Sequence, residues 1–223
     1  MPDGQYSFYL HSDDRTDIAA MATISTISQP LRGEFIRTAA TAGAVVYQVD
    51  ARLPALIPVF FAGQLSAVRL CAVMALVSGT WSSLTGLPDE PENGGAALPV
   101  SPETEYQRRR YTLTLQNGRS GERVESVLTE ASSRLRGDLL RNLIITGLAL
   151  HTTALELPRL LASMPVPPTS VSELQALVQQ MAGTADVNRA AAAVPDTPTA
   201  SAAPVSGSDT REIKKNMRRA FGD

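Results

Sequence analysis

The chain repeats itself, and that repetition limits what it can fold into more than any other feature. Leu31–Ile57 reads LRGEFIRTAATAGAVVYQVDARLPALI, and Leu135–Leu161 reads LRGDLLRNLIITGLALHTTALELPRLL. The two align without a gap at an offset of 104. They share Leu31/Leu135, Arg32/Arg136, Gly33/Gly137, Arg37/Arg141, Gly43/Gly147, Leu53/Leu157, Pro54/Pro158 and Leu56/Leu160. Upstream, YSFYLHSD from Tyr6 matches YTLTLQNG from Tyr111 at an offset of 105, so the second copy lacks one residue between these segments. Order, spacing and chemical type agree, and one unit is therefore written twice.

Each copy follows the same coarse plan. A strand is predicted first. In copy one Tyr6, Phe8 and Leu10 alternate with Gln5, Ser7, Tyr9 and His11; in copy two Tyr111, Leu113 and Leu115 alternate with Arg110, Thr112, Thr114 and Gln116. Period-two alternation marks a half-buried strand. A helix near 16–28 or 121–134 follows, then a second near 32–49 or 136–153. Pro54 and Pro158 stop or redirect the chain. A final helix is predicted over 171–182, where apolar residues at 171, 174, 177, 178 and 181 share one face.

Composition sets the boundaries. Residues 85–105 are rich in Pro, Gly and acids and divide the first unit, 1–84, from the second, 106–182. Residues 183–209 are dominated by Ala, Pro, Ser and Thr, too poor in large apolar side chains to offset their ordering entropy, and are expected to be a flexible linker. The last segment, 210–223, is a basic amphipathic peptide. Ile213, Met217 and Phe221 fall on one helical stripe, flanked by Lys214, Lys215, Arg218 and Arg219.

Charge and motif content exclude several classes. The formal net charge is −2, which rules out a histone-like polymer and makes any nucleic-acid site a local patch. The single cysteine, Cys71, can form neither an internal disulfide nor a cysteine-rich zinc site, and reads as a buried small hydrophobe in a reducing cytoplasm. No secretory leader is expected from MPDGQYSFYL. Residues 55–79 are long and apolar enough to raise the question of a membrane span. Pro58, Gln64 and Arg69 interrupt them, so two buried helices and no membrane partner are expected. Phosphate-loop, nucleophile-elbow and zinc-protease motifs are absent, His11 and His151 occupy non-equivalent positions, and no enzymatic activity, cofactor or metal is expected. Asp13-Asp14 reads as turn capping, and Trp81 as a core or partner contact.

A strand followed by two helices cannot cover its apolar strand face alone; it needs a second copy whose strand pairs antiparallel with the first. That is the plan of the ribbon-helix-helix fold, in which a two-stranded ribbon enters the major groove of DNA. The predicted fold is thus mainly helical, with two tandem ribbon-helix-helix units and a disordered C-terminal tail. A single chain can hold both units as a pseudo-dimer, or each can pair with its equivalent in a second molecule. In the ribbon reading Gln5, Ser7 and Tyr9 of copy one, and Arg110, Thr112, Thr114 and Gln116 of copy two, face base edges. Arg108 begins a basic run where the ribbon meets phosphates. Arg32-Gly33 and Arg136-Gly137 open the second helix of each copy. An arginine, a glycine and free helix N–H groups there form a phosphate clamp, and its recurrence in both copies is what singles it out from solvated surface. Copy one carries no outward Lys or Arg, so either the half-sites are read unequally or copy one is mainly a structural partner.

Residues 32–56 (RGEFIRTAATAGAVVYQVDARLPAL) closely resemble the second-helix region of ParR, the centromere-binding adaptors of plasmid segregation. The tail REIKKNMRRAFGD and the segment SELQALVQQMA at 172–182 are similar to the C-terminal peptide and last helix of that family. The resemblance implies a cytoplasmic, plasmid-associated adaptor. Such proteins bind centromere repeats in double-stranded DNA, self-associate there, dock their tails on filaments of an actin-like ATPase of the ParM type, and repress their own operon. The doubled unit with a single tail departs from the family, whose members carry one unit and dimerise. Two other functions fit the residues: a tandem ribbon-helix-helix repressor without a motor, and a structural interaction protein that binds no DNA.

Overall fold

The computed structural model describes residues 4–80 and 107–192, with side chains as far as residue 183. Trp81, the 85–105 segment and the tail residues Ile213, Lys214, Lys215, Met217, Arg218, Arg219 and Phe221 lie outside the described residues.

Strand β1 (Gln5–His11) leads into α1 (Arg15–Ser25), a short 3-10 turn (Gln29–Leu31), α2 (Arg32–Val49), α3 (Leu53–Phe60) and α4 (Ala67–Ser78). Copy two repeats the order as β2 (Arg108–Thr114), α5 (Arg119–Glu130), α6 (Arg136–Thr153), α7 (Leu157–Ser163) and α8 (Val171–Ala192). The residues explain the boundaries. Asp14 caps α1, its carboxylate accepting the Asp17 N–H at 3.0 Å. Pro54 and Pro158 stand in the first turns of α3 and α7, where a missing N–H costs nothing. Ser66 caps α4, and Gly79 ends it in the left-handed conformation at φ +71°. The apolar stretch 55–79 is thus split between two short helices. Among the described residues no helix is long and apolar enough to cross a membrane.

β1 and β2 pair antiparallel within the one chain, Gln5 opposite Thr114 and His11 opposite Arg108. The single-chain pseudo-dimer is therefore the arrangement found, and both copies belong to one compact unit. Its centre is the crossing of α2 and α6. A Cβ on Gly43 would overlap the Leu143 backbone, and one on Gly147 would overlap that of Ala39. At the helix offset of 104, Ala39 corresponds to Leu143 and Gly43 to Gly147, so the two contacts are one contact seen from both sides. Helix α3 then packs on α6 and α7 on α2, so the third helix of each copy covers the second helix of the other. Phe8, Leu10, Leu113 and Leu115 on the inner ribbon face are buried over this crossing, with Phe8 stacked on Tyr111 at 5.2 Å.

One expectation needs correction. The last helix does not stop near residue 182 but runs to Ala192, ten residues into the expected linker. Alanine is the commonest residue of Gly183–Ala192; it depletes a segment of large apolar side chains yet has the highest helix propensity, so composition alone does not distinguish linker from helix here. Cys71 is buried, as expected of a lone cysteine acting as a small hydrophobe, and burial pushes its thiol up.

A buried ion pair ties the copies together beneath the ribbon. Asp17 is fully buried on α1 and accepts the His11 N–H from β1 at 2.9 Å. Arg141 reaches it from α6, with Nε at 2.7 Å, and also contacts Asp14 at 3.2 Å. Burial raises the Asp17 carboxyl above the ordinary carboxylate range, while the Arg141 guanidinium and the His11 N–H pull it down. Arg37, the counterpart of Arg141, makes no such crossing and pairs with Glu34 of its own helix at 2.7 Å.

Gly43→Ala and Gly147→Ala should each cost about 3 kcal/mol or more in urea unfolding, because the obstructing atoms are helix backbone that cannot swing away. Gly33→Ala should change stability by less than about 1 kcal/mol, since its Cβ would meet only the Arg37 guanidinium, at an ordinary contact distance of 3.6 Å. Arg141→Met should cost about 3–5 kcal/mol near pH 7 by stranding the Asp17 carboxylate. A carboxyl whose folded pKa lies above its unfolded one adds stability below the unfolded pKa and loses it as pH rises through the folded pKa. The deficit of Arg141→Met against the parent should therefore shrink as pH falls toward 4, measured by urea unfolding across that range. A deficit that grows instead would show that Arg141 does not serve the charge on Asp17.

Candidate nucleic-acid interface

The outward face of the ribbon gathers residues from both copies. Gln5 lies opposite Thr114, Ser7 opposite Thr112, Tyr9 opposite Arg110 and His11 opposite Arg108. Gln5, Arg108, Arg110, Thr112 and Thr114 are exposed, while Ser7, Tyr9 and His11 are half-buried. The alternation that predicted two strands therefore also places these side chains on a common face.

Contacts within that face order it. The Arg108 guanidinium lies over the Tyr9 ring, 3.5 Å from its centroid. Tyr9 is thus a platform for a cation from the other copy rather than a plain base-facing side chain. Arg110 crosses diagonally, and its Nε and one terminal nitrogen donate to Ser7 Oγ at 3.2 and 3.0 Å. The other terminal nitrogen of the fork keeps its donors for an outside acceptor. Arg109, on the inner side at the strand's end, is exposed and approaches the Tyr111 ring at 5.2 Å. Burial raises the Tyr111 phenol, and Arg109 and Arg32 oppose that shift. A local cationic end is thereby built on a chain of net charge −2.

The starts of α2 and α6 flank the ribbon. Neither has a side-chain cap, and at the start of α2 the Arg32 N–H donates to the Gln29 carbonyl of the preceding 3-10 turn. Gly137 lies against β1: a Cβ there would come within 3.4 Å of the Ser7 carbonyl oxygen. The two arginines have a structural task that sequence reasoning missed. Arg32 Nε donates to the Ile27 carbonyl at 2.8 Å and a terminal nitrogen to Ser25 at 3.3 Å, while Arg136 Nε donates to Ala131 at 3.2 Å. Each thus ties the helix start to the corner five residues upstream. Leu31 and Leu135, one residue before each helix, are 61% and 56% exposed. Their recurrence in both copies was visible in the sequence; their exposure was not.

Gln116 stands apart from the other expected contacts. It lies beyond the end of β2 and lines a cleft of about 830 Å³ with Leu31, Phe35, Arg37, Arg119 and His151. His151 packs edge-on against Phe35 at 4.9 Å and contacts the Leu155 carbonyl oxygen through Nδ1 at 3.1 Å. Among the described residues no group of three or more His, Cys, Asp or Glu side chains could hold a metal ion.

A two-stranded ribbon with polar and cationic side chains outward, flanked by two helix N-termini, has the parts needed to read base edges and grip phosphates. Comparison with known proteins adds one match. The family described as "Plasmid stability protein" matches residues 4–74 and, a second time, residues 109–178. These limits coincide with the two copies and take in β1 through most of α4, and β2 through part of α8. No curated protein matches the chain, and no solved structure does.

Proposed function

The chain belongs to the plasmid stability protein family, its unit present twice, and from that premise we propose that it serves plasmid maintenance as a DNA-binding segregation adaptor. The observation that carries this reading is the outward face of the β1–β2 ribbon, with Arg108, Arg110, Thr112, Thr114 and Gln5 exposed side by side. The major groove is about 12 Å wide and admits such a ribbon. Arg110 can fork onto guanine by exchanging its bonds to Ser7 Oγ for the base, and Thr112, Thr114 and Gln5 can bond to neighbouring base edges. In this reading the starts of α2 and α6, with Arg32-Gly33 and Arg136-Gly137, grip the two phosphate backbones.

The DNA partner in this reading is a set of centromere-like repeats on the plasmid, on which several copies of the chain assemble. Binding beside a promoter would also repress the operon. The tail supplies the second partner, a filament of an actin-like ATPase. Ile213, Met217 and Phe221 suit a helix-in-groove mode, with Lys214, Lys215, Arg218 and Arg219 as rim contacts. Several tails held on one DNA array gain avidity through their effective concentration.

Two tests address the two partners. Binding to duplex DNA should weaken steeply with salt. Arg110→Ala and Thr112→Ala should relax sequence discrimination by about 1–3 kcal/mol. Arg136→Ala should weaken all duplexes alike and lower the salt slope by about 1. Affinity unchanged by all three substitutions would overturn the ribbon assignment. For the motor, full-length protein and a chain ending at Asp209 should be compared for DNA-dependent capture of filaments of the neighbouring actin-like protein. Capture that vanishes on truncation supports the adaptor. DNA binding without capture by either form reduces the chain to a tandem repressor.

A further inference from the structure

The register of the ribbon carries more than a two-fold scaffold. At the strand offset of 105, Gln5, Ser7 and Tyr9 correspond to Arg110, Thr112 and Thr114. Ser7 pairs with Thr112, its own counterpart, so the pseudo-two-fold axis of the ribbon passes between these two residues. On one side of the axis stands the pair Gln5–Thr114, and on the other Arg110–Tyr9. A true dimer would present the same pair on both sides. Here one side offers a neutral amide and a hydroxyl, and the other a guanidinium beside an aromatic ring.

The difference grows toward the ends. Beyond Arg110 come Arg109 and Arg108, the latter held over Tyr9 at 3.5 Å. The residue that corresponds to Arg109 is Gly4. The backbone frame is two-fold, but the face it presents is not.

We infer that the chain recognises a DNA site with two unlike halves and binds it in one orientation, Arg110 reading guanine in one half and Gln5 reading adenine in the other. This rests on the ribbon being the DNA-reading element. The chemistry assigns the bases: a guanidinium donates two hydrogen bonds to guanine O6 and N7, whereas a carboxamide donates to and accepts from adenine N7 and N6. Arg108 and Arg109 add phosphate attraction on the guanine side only. On directly repeated sites every chain would then point the same way along the DNA, which a symmetric dimer cannot do.

The test begins by selecting duplexes from a random pool with the full-length protein. The expected site is non-palindromic, with guanine at the Arg110 half and adenine at the Gln5 half. A palindrome made from two guanine halves should bind about 5- to 150-fold more weakly than the selected site. Orientation is read by Asp13→Cys in a Cys71→Ala background, carrying an iron-chelate cleavage probe. Asp13 is exposed just past the Arg108 end of the ribbon, so cleavage should fall beside the guanine half alone. Gln5→Arg combined with Tyr9→Thr, which makes the two outward triads nearly alike, should shift the selected site toward a palindrome with guanine in both halves. A palindromic site for the parent protein, or equal cleavage at both halves, would overturn the inference and leave DNA binding intact. No enriched duplex at all would remove the DNA reading itself, and the inference with it.

Discussion

Two helices cross at the centre of this protein with almost no side chain between them. Gly43 of α2 meets the backbone of Leu143, and Gly147 of α6 meets that of Ala39, so the helix axes approach more closely than any larger residue would permit. The crossing brings the same position of each copy against its counterpart, and the two-fold arrangement follows from that identity. Once α2 and α6 are joined, α3 packs chiefly on α6 and α7 chiefly on α2. The strands that precede these helices are brought alongside each other. Their apolar faces, with Phe8 and Leu10 from one copy and Leu113 and Leu115 from the other, close over the crossing. Neither copy holds a core of its own.

Within that frame the copies have diverged where symmetry is not needed. In a homodimer any substitution appears on both sides of the axis; in a single chain each side changes alone. Arg141 crosses to the buried Asp17 and to Asp14, whereas its counterpart Arg37 turns to Glu34 on its own helix. The position equivalent to Asp17 is Gly121, where a Cβ would overlap the Gln116 carbonyl oxygen. One copy thus joins its strand to its first helix through a carboxylate, the other through direct backbone contact. The pair Arg141–Asp17 buries a charge that only its partner and the His11 N–H satisfy, so it serves as a specific link between copies more than as a general source of stability.

The same freedom shapes the outer face. Membership of the plasmid stability family sets the biological context as plasmid maintenance. The cationic end built from Arg108 to Arg110 and the neutral end around Gln5 share one ladder of hydrogen bonds. The backbone geometry that holds them is common to both copies, but the chemistry they offer is not. The arginines at the helix starts have a structural task in both copies. Their Nε atoms are committed to the Ile27 and Ala131 carbonyls, which fixes where the guanidinium planes lie relative to the ribbon.

Much of this was legible in the residue order. The repeat at offsets of 104 and 105 implied two like units, the period-two alternation sorted the inner from the outer faces of both strands, and the limits of α2 and α6 were read correctly to the residue. These features depend on periodicity, which is local. The extent of α8 was misread because alanine-rich sequence is ambiguous between linker and helix. The meaning of Gly43 and Gly147 was also hidden: the sequence marks them as shared, but a glycine's role depends on what lies across from it. The sequence by itself thus determined that there are two strand-helix-helix units, and which strand residues point outward. Only the tertiary structure decided that the units pair within one chain, that Ser7 meets Thr112 at the axis, and that Arg108 rests on Tyr9. Those are contacts between residues about a hundred positions apart, and local patterning carries no information about register across such a distance.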